Sequence, residues 1–369
     1  MSRTIRNGPD WIMLLTIVAL LALGIVMVYS ASAVSAFHDF GDKYYYVKRQ
    51  AIFAILGLIA MIVTMRTDYW IWRKWSKVGL WICFGLLAAV LVPGIGVVRG
   101  GARSWLGIGS LGIQPSEFMK LGMVLFLANR LAGQGADIHR FIRGFVPPLA
   151  IVGLAFGLIM LQPDLGTGAV LVGSSMLLIF AAGAGIKHLM GLVFVGFAGF
   201  IGLIVTAPYR LQRITAFLDP WQDPLGAGYQ AIQSLYAIGP GQLMGLGLGM
   251  SRQKFNYLPE PQTDFIYAII AEELGFLGGI TVLCLFLILI WCGLRTALAI
   301  QDRFGRLMAF GITAIVAVQV IINIGVVIGL MPVTGITLPL ISAGGSSLTI
   351  MLTALGIVLN ISKYARWGS

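Results

Sequence analysis

Long apolar runs separated by short polar connections make up most of the chain. About ten of these runs are long enough to cross the roughly 30 Å hydrocarbon core of a bilayer as helices. They are residues 11–32, 50–65, 78–92, 115–131, 145–161, 167–182, 188–207, 265–290, 307–330 and 345–361. Of the 369 residues, 58% are hydrophobic and 11% are charged, which excludes an ordinary soluble domain. The sequence therefore predicts an all-α polytopic membrane protein.

The connections on the two sides of the membrane differ in their content of Lys and Arg. Fifteen of these residues lie on the side that carries both termini, nine lie on the other side, and Lys120 lies inside a run. Because basic residues are retained on the cytoplasmic side, both termini are predicted to be cytoplasmic in the cell membrane. The net charge of +11 indicates contact with anionic head groups rather than with nucleic acid.

The longest connection, residues 208–263, lies on the outer side between the seventh and eighth runs. It is too long to serve only as a link between two helices. We expect a single membrane domain, residues 1–369, that contains this large extracellular loop. Arg210 and Arg213 fall in a short helix predicted at the start of the loop, where they could meet an anionic group at the membrane surface.

Two stretches with many Gly residues are predicted to border a cavity. Residues 239–255 continue from an amphipathic helix predicted at residues 228–239, and they favour a mobile or re-entrant loop over a cavity that brings Arg252 and Lys254 near Asp264. Residues 323–347 contain no charge but many Pro, Gly, Ser and Thr residues. Irregular backbone at membrane depth is tolerated only where it contacts protein or a water-filled cavity, so this second stretch is expected to line one.

The stretch LPEPQTDFIYAIIAEEL contains the main candidate for catalysis. Pro259 and Pro261 prevent a helix upstream, and Thr263 is expected to cap a membrane helix that starts at Asp264. In the first turn, backbone N–H groups and the macrodipole stabilise an ionised carboxylate. Asp264 is therefore a candidate proton acceptor at the outer membrane boundary. The alternative is that Asp264 only helps to cap the helix.

A second outer connection, PGIGVVRGGARSWLGIGSLGIQPSEFMK, combines a Gly-rich loop with the start of a helix. Arg103 and Trp105 lie in the loop, where a close approach to an anionic group is possible. Pro115 opens the helix, and Glu117 and Lys120 follow on one face within its first two turns. Ionisable groups at this depth usually face a cavity in the protein. The alternative is a self-satisfied pair in which Lys120 extends to the head groups.

The three Cys and three His residues show no spacing typical of a metal site. No resident metal is therefore predicted, and the need for a divalent cation such as Mg²⁺ or Mn²⁺ stays open.

Nearly the whole chain resembles the SEDS family (shape, elongation, division and sporulation), which includes RodA, FtsW and stage V sporulation protein E. The segments RSWLGIG, QPSEFMK and LPEPQTDFIYAIIAEELGFLGG carry the resemblance, and RQKFNYLPEPQTDF is most similar to the sporulation branch. The most specific part is the order Asn323, Pro332, Gly335, Ser342, Gly344, Gly345, Ser346.

The resemblance implies a peptidoglycan glycosyltransferase. Such a protein polymerises lipid II, a disaccharide-pentapeptide on undecaprenyl pyrophosphate, and works with a class B penicillin-binding transpeptidase. It places the essential aspartate of the family on Asp264, its loop tryptophan on Trp105, and its functional Glu and Lys on Glu117 and Lys120. Glu260 matches an acidic position in the large loop.

These residues lead to a mechanistic hypothesis with two rivals. Asp264 would be the general base for an inverting transfer, and nearby cations would stabilise the departing pyrophosphate. The cations available for this task are Lys120, Arg103, Arg210, Arg213 and Lys254. A lipid II flippase and a scaffold that only recruits the transpeptidase are the alternatives.

Overall fold

The computed structural model describes residues 8–99, 102–108, 111–134, 140–188, 190–191, 194, 196, 199, 202, 215–255 and 257–366. Nearly all regular structure in these residues is helical. In chain order the helices are α1 (Trp11–Phe40), α2 (Tyr45–Arg66), α3 (Trp70–Leu91), α4 (Pro115–Gln134), α5 (Val146–Met160), α6 (Leu165–Ala181), α7 (Tyr229–Gly241), α8 (Ile266–Ala299), α9 (Arg303–Val327) and α10 (Gly345–Ser362). A π-helical turn, Phe141–Phe145, leads into α5, and a short 3₁₀ turn, Pro220–Gln222, precedes α7.

The prediction of a helical, multi-pass membrane protein is confirmed. Seven helical segments within the described residues are long and apolar enough to cross a membrane, and α6 is a shorter apolar helix. Nine of the ten predicted runs coincide with helices α1–α6 and α8–α10. The remaining run, residues 188–207, lies largely outside the described residues, so the number of about ten spans stays a prediction. That residues 1–369 form a single membrane domain also stays a prediction.

Helices α9 and α10 form the centre of the bundle. Within the most apolar 18 residues of each helix, 72% are buried in α9 and 78% in α10, compared with 28% in α2 and 33% in α3. Helix α10 packs closely on α2 because glycines lie at the contact. A Cβ on Gly57 would lie 2.5 Å from Leu352 Cδ1, and one on Gly356 would lie 2.5 Å from the Met61 carbonyl oxygen. Small residues thus bring the two backbones together, as is typical of membrane helix pairs.

The Gly-rich connection between α3 and α4 forms a small antiparallel sheet that the sequence analysis missed. Its strands are β1 (Gly96–Arg99), β2 (Ala102–Ile108) and β3 (Leu111–Ile113), in the order β1-β2-β3. Val97 pairs with Trp105, and Leu106 pairs with Ile113. The sheet fixes Trp105 next to the start of α4.

The described part of the loop 208–263 includes helix α7, which agrees with the amphipathic helix predicted at residues 228–239. Residues 242–254, predicted to lie over a cavity, instead pack against α8. The amide of Leu246 donates to the Glu272 carbonyl over 2.9 Å, and that of Gly247 donates to the Glu273 carbonyl over 3.0 Å. The stretch therefore lies on α8 rather than over the cavity that Asp264 lines, and its mobility stays a prediction.

Candidate active site

A polar cavity of about 470 Å³ opens at the end of the bundle where α2, α4, α6, α8 and α10 begin. Of the nine site residues predicted from sequence, this cavity brings together five. They are Trp105, Glu117, Lys120, Glu260 and Asp264. The backbone segments 334–337 and 343–345 also line it, which confirms that the uncharged stretch between the last two helices borders a cavity.

Asp264 precedes helix α8 rather than opening it. The helix starts at Ile266, and its N-cap is Phe265, which makes no side-chain capping bond. Thr263 is not the N-cap, since its hydroxyl donates to the Glu260 carbonyl over 3.1 Å. The predicted helix start is therefore wrong by two residues. The carboxylate of Asp264 lies beside Gly335, where a Cβ would be 3.6 Å from Asp264 Oδ2.

The buried side chain of Asn323 fixes the backbone of Asp264. Its Nδ2 donates to the Asp264 carbonyl over 2.8 Å and to the Ile336 carbonyl over 2.6 Å. Asn323 is 1% exposed, so these bonds are shielded from water. One amide group thus connects the segment before α8 with the irregular segment before α10, and both segments line the cavity.

A second set of hydrogen bonds holds the residues just before Asp264. The Ser342 hydroxyl donates to the Thr263 carbonyl over 2.6 Å and accepts from the Leu338 amide over 2.8 Å. The Ala343 amide donates to the Gln262 carbonyl over 2.8 Å. Residues 261–265 form turns, and these bonds occupy the carbonyls of Gln262 and Thr263, which explains why Thr263 does not cap a helix that begins at Asp264.

We expect Asn323→Ala to lower the rate of the reaction at this cavity by about tenfold or more, since small displacements of a catalytic group are costly. The substitution removes both bonds to backbone carbonyls, so the Asp264 carboxylate is still present but is no longer held in position. The measurement is the turnover of purified protein on its substrate. Thr349→Ala, which changes a hydroxyl on α10 outside the lining of the cavity, is the control. A wild-type rate of turnover by Asn323→Ala would contradict the prediction that Asn323 positions Asp264.

Glu117 and Lys120 form an ion pair at the bottom of the cavity. Lys120 Nζ lies 2.9 Å from Glu117 Oε1, and the two side chains are 3% and 7% exposed, respectively. Lys120 Nζ also donates to Gln319 Oε1 over 3.0 Å, and Gln319 Nε2 donates to the Thr337 carbonyl over 3.0 Å. The two side chains do pair with each other, as the alternative supposed, but Lys120 is buried and does not extend to the head groups. The pair lines the cavity from within the bundle.

Asp164 also lines the cavity. It caps α6, since Oδ1 accepts the Thr167 amide over 3.0 Å. Its other oxygen accepts from Gln114 Nε2 over 3.1 Å. Burial raises the pKa of the Asp164 carboxyl above its ordinary value, against the lowering effect of the Thr167 hydrogen bonds. Asp164 therefore ionises at a higher pH than an exposed aspartate does.

Three residues at the start of α2 also line the cavity, and sequence reasoning assigned them no chemistry. They are Tyr46, Arg49 and Gln50. Gln50 joins α2 to the segment before α10, because its Nε2 donates to the Ser342 carbonyl over 3.1 Å and its Oε1 accepts the Gly344 amide over 3.3 Å. The available signal was a cation, Arg49, directly before an apolar run that opens with an amide, Gln50, but Arg49 was used only to predict the orientation in the membrane.

Of the four remaining predicted residues, two lie outside the lining of the cavity and two lie outside the described residues. Arg103 lies on β2 but is not part of the lining, although its neighbours Ala102 and Ser104 are. Lys254 lies outside the cavity, and its Nζ is 3.1 Å from Glu273 Oε1 of α8. Arg210 and Arg213 lie outside the described residues. Within the described part of the chain, no group of three or more His, Cys, Asp or Glu residues could hold a metal ion.

The starts of several helices face the cavity together. Residues in the first turn of α2, α4, α6 and α10 line it, and Asp264 lies directly before α8. Helix N-termini carry a partial positive charge and unpaired N–H groups, so their convergence favours an anionic ligand. The lining combines the four acidic residues Glu117, Asp164, Glu260 and Asp264 with the two cations Arg49 and Lys120. Positive charge for an anionic ligand is therefore offered by Arg49, Lys120 and the helix starts.

Comparison with known proteins agrees with this architecture. The sequence model of the cell cycle protein family that contains FtsW, RodA and SpoVE matches residues 10–367. The chain belongs to the FtsW/RodA/SpoVE family. The resemblance to SEDS proteins seen in the sequence is thus confirmed.

Relatives within the FtsW/RodA/SpoVE family are similar over their full length. Stage V sporulation protein E of Bacillus subtilis is 57% identical over 364 residues, which cover 99% of this chain and 100% of that protein. The probable peptidoglycan glycosyltransferase FtsW of Trichlorobacter lovleyi is 44% identical, covering 96% of this chain and 93% of that protein.

Solved structures of the family share the fold. A chain in a peptidoglycan synthase complex, solved in a study of how polymerization and crosslinking are coordinated, gives a TM-score of 0.78 at 32% identity, covering 96% of this chain and 97% of that chain. The rod shape determining protein RodA of Thermus thermophilus gives a TM-score of 0.72 at 29% identity, covering 98% of each chain.

Proposed function

We propose that this protein is a peptidoglycan glycosyltransferase that polymerises lipid II on the outer face of the cytoplasmic membrane, for spore cortex, septal or cell wall synthesis. Relatives in its family are named peptidoglycan glycosyltransferases. The observation that carries the proposal is the cavity that brings the Asp264 carboxylate and the buried Lys120 ammonium together at one end of the bundle.

Asp264 would act on the acceptor sugar. As general base, its carboxylate takes the proton of the GlcNAc 4-hydroxyl while that oxygen attacks the anomeric carbon of the donor. The new bond joins O4 to C1, the bond from C1 to the pyrophosphate oxygen breaks, and the α-linked donor becomes a β-linked unit. General base catalysis of this kind typically contributes about 10² to 10⁴ in rate. The position of Asp264 at the mouth, before the start of α8, suits a water-soluble sugar group.

The deeper part of the cavity would receive the departing diphosphate. This leaving group is weakly basic, so it needs positive charge rather than a second carboxylic acid such as glycoside hydrolases use. Lys120, Arg49 and the first turns of four helices supply that charge. Glu117 would hold Lys120 in place, and Trp105 would contact a sugar ring.

The active site and the loop 208–263 would be extracellular, and both termini would be cytoplasmic, because the connections on the terminal side carry more Lys and Arg. We assign a class B penicillin-binding transpeptidase as partner, since a related chain forms part of a peptidoglycan synthase complex. The two active sites would then lie on the same face of the membrane.

A polymerisation assay tests this function. Purified full-length protein, with and without its transpeptidase, receives labelled lipid II in detergent or in vesicles. Glycan strands are the expected product. Movement of lipid II across the vesicle membrane without polymer would instead identify a flippase, and the absence of both would leave a scaffold that recruits the transpeptidase.

A further inference from the structure

A second cluster of buried charged side chains lies away from the cavity. Glu272 and Glu273 of α8 are 1% and 0% exposed, and Lys254 of the outer loop is 6% exposed. None of the three lines the cavity of the candidate site. Ionisable groups buried this deeply are costly unless they are paired and hydrogen-bonded, so their retention needs an explanation.

The two carboxylates bind the outer loop and helix α1 to α8. Lys254 Nζ lies 3.1 Å from Glu273 Oε1, and the Ser30 hydroxyl of α1 lies 2.6 Å from Glu273 Oε2. The Ser251 amide donates to Glu273 Oε1 over 3.2 Å, and the Ser251 hydroxyl donates to Glu272 Oε2. We call Ser30, Ser251, Lys254, Glu272 and Glu273 the latch.

The latch lies just before a break in α8. Gly275 has φ +66°, and a Cβ there would lie 2.3 Å from the Gly245 amide nitrogen. At the break the helix exchanges its own hydrogen bonds for bonds to the loop. The carbonyls of Glu272 and Glu273 accept loop amides, and the two amides after Gly275 donate to loop carbonyls. The loop therefore replaces one turn of helical hydrogen bonding.

The break separates the short segment 266–274 from the rest of α8, which extends to Ala299. Asn323 and Ser342 hold the chain at the start of this segment, next to Asp264, and the latch holds its end. A shift of the latch would therefore move the whole segment relative to Lys120.

We propose that Lys254 and Glu273 are positioning residues for glycosyl transfer. Their ion pair fixes the outer loop on segment 266–274 and thereby fixes the Asp264 carboxylate in the cavity. This inference rests on the proposed function. Under this proposal Lys254 holds the loop on α8 and does not itself contact the departing pyrophosphate.

The test compares Lys254→Met, Glu273→Gln and the double variant in the full-length protein with its transpeptidase. Lys254→Met leaves a buried carboxylate without its cation, and we expect kcat to fall about tenfold or more with KM for lipid II changed by less than about twofold. Hydrogen exchange at Leu246 and Gly247 should become about tenfold faster as the loop opens. The double variant removes the ion pair without leaving an unpaired buried charge, so its stability should recover while kcat stays low and exchange stays fast.

Lys43→Met, at an exposed lysine between α1 and α2, is the matched control and should behave as wild type. If Lys254→Met fails to fold, Ser30→Ala tests the same latch with both charges kept, and a smaller loss of kcat with faster exchange is expected. Unchanged kcat in the folded variants, or a double variant that regains wild-type kcat, would overturn the proposal. Failure of the wild-type protein to polymerise lipid II would instead reject the proposed function.

Discussion

Replacing Asp264 by Asn is expected to abolish glycan polymerisation. The amide has nearly the shape of the carboxylate but cannot accept the proton of the acceptor hydroxyl, so we expect a loss of about 10² to 10⁴ in kcat. The backbone bonds from Asn323 and Ser342 do not involve this side chain, and they keep the segment in place. The measurement is the rate of strand formation from lipid II by purified protein with its transpeptidase.

The matched control is Asp39→Asn, which changes an exposed aspartate at the end of α1 outside the cavity. It should polymerise at the wild-type rate. Both variants should reach the membrane in normal amounts and retain the transpeptidase on purification. Persistent strand formation by Asp264→Asn would show that another group accepts the proton.

Removing the Lys120 partner of the Glu117–Lys120 ion pair is expected to lower both stability and kcat. Lys120→Met leaves the Glu117 carboxylate buried without its cation, a change that typically destabilises a protein by about 3–5 kcal/mol. The same substitution removes positive charge from the site of the leaving diphosphate, so kcat should fall by about 10² to 10³. Thermal unfolding and polymerisation measure the two effects separately.

The double variant Glu117→Gln and Lys120→Met distinguishes a structural role from a catalytic one. Removing both charges should restore most of the stability, but polymerisation should stay low because the positive charge is still missing. Recovery of both properties would show that the pair only supports the fold. Lys48→Met is the control, since Lys48 forms an exposed pair with Asp42, and such pairs contribute at most about 1 kcal/mol.

The sequence predicted those parts of the site whose signals are local. Glu117 and Lys120 stand out because charges inside an apolar run are costly unless they face a cavity. Asp264 stands out because two prolines and then an apolar run place it at a membrane boundary. The likeness to SEDS proteins added Trp105 and Glu260, which carry no strong signal of their own.

The remaining features depend on contacts between distant parts of the chain. Asn323 lies 59 residues from the carbonyl that it binds, and nothing in its neighbourhood indicates that partner. The same contact and that of Ser342 prevent Thr263 from capping a helix that starts at Asp264, as local capping rules predict. Lys254 is close to Asp264 in sequence, but left-handed turns at Gly245, Gly247 and Gly249 carry it to Glu273 instead.

The helix starts around the cavity have a consequence for product release. An electrostatic environment that stabilises a diphosphate as it leaves the sugar also retains it afterwards, because the attraction acts equally on the free polyprenyl diphosphate. Turnover at saturating lipid II would then depend on how quickly this spent carrier escapes into the bilayer. Added pyrophosphate compounds would compete for the same place, and raised ionic strength would weaken their hold.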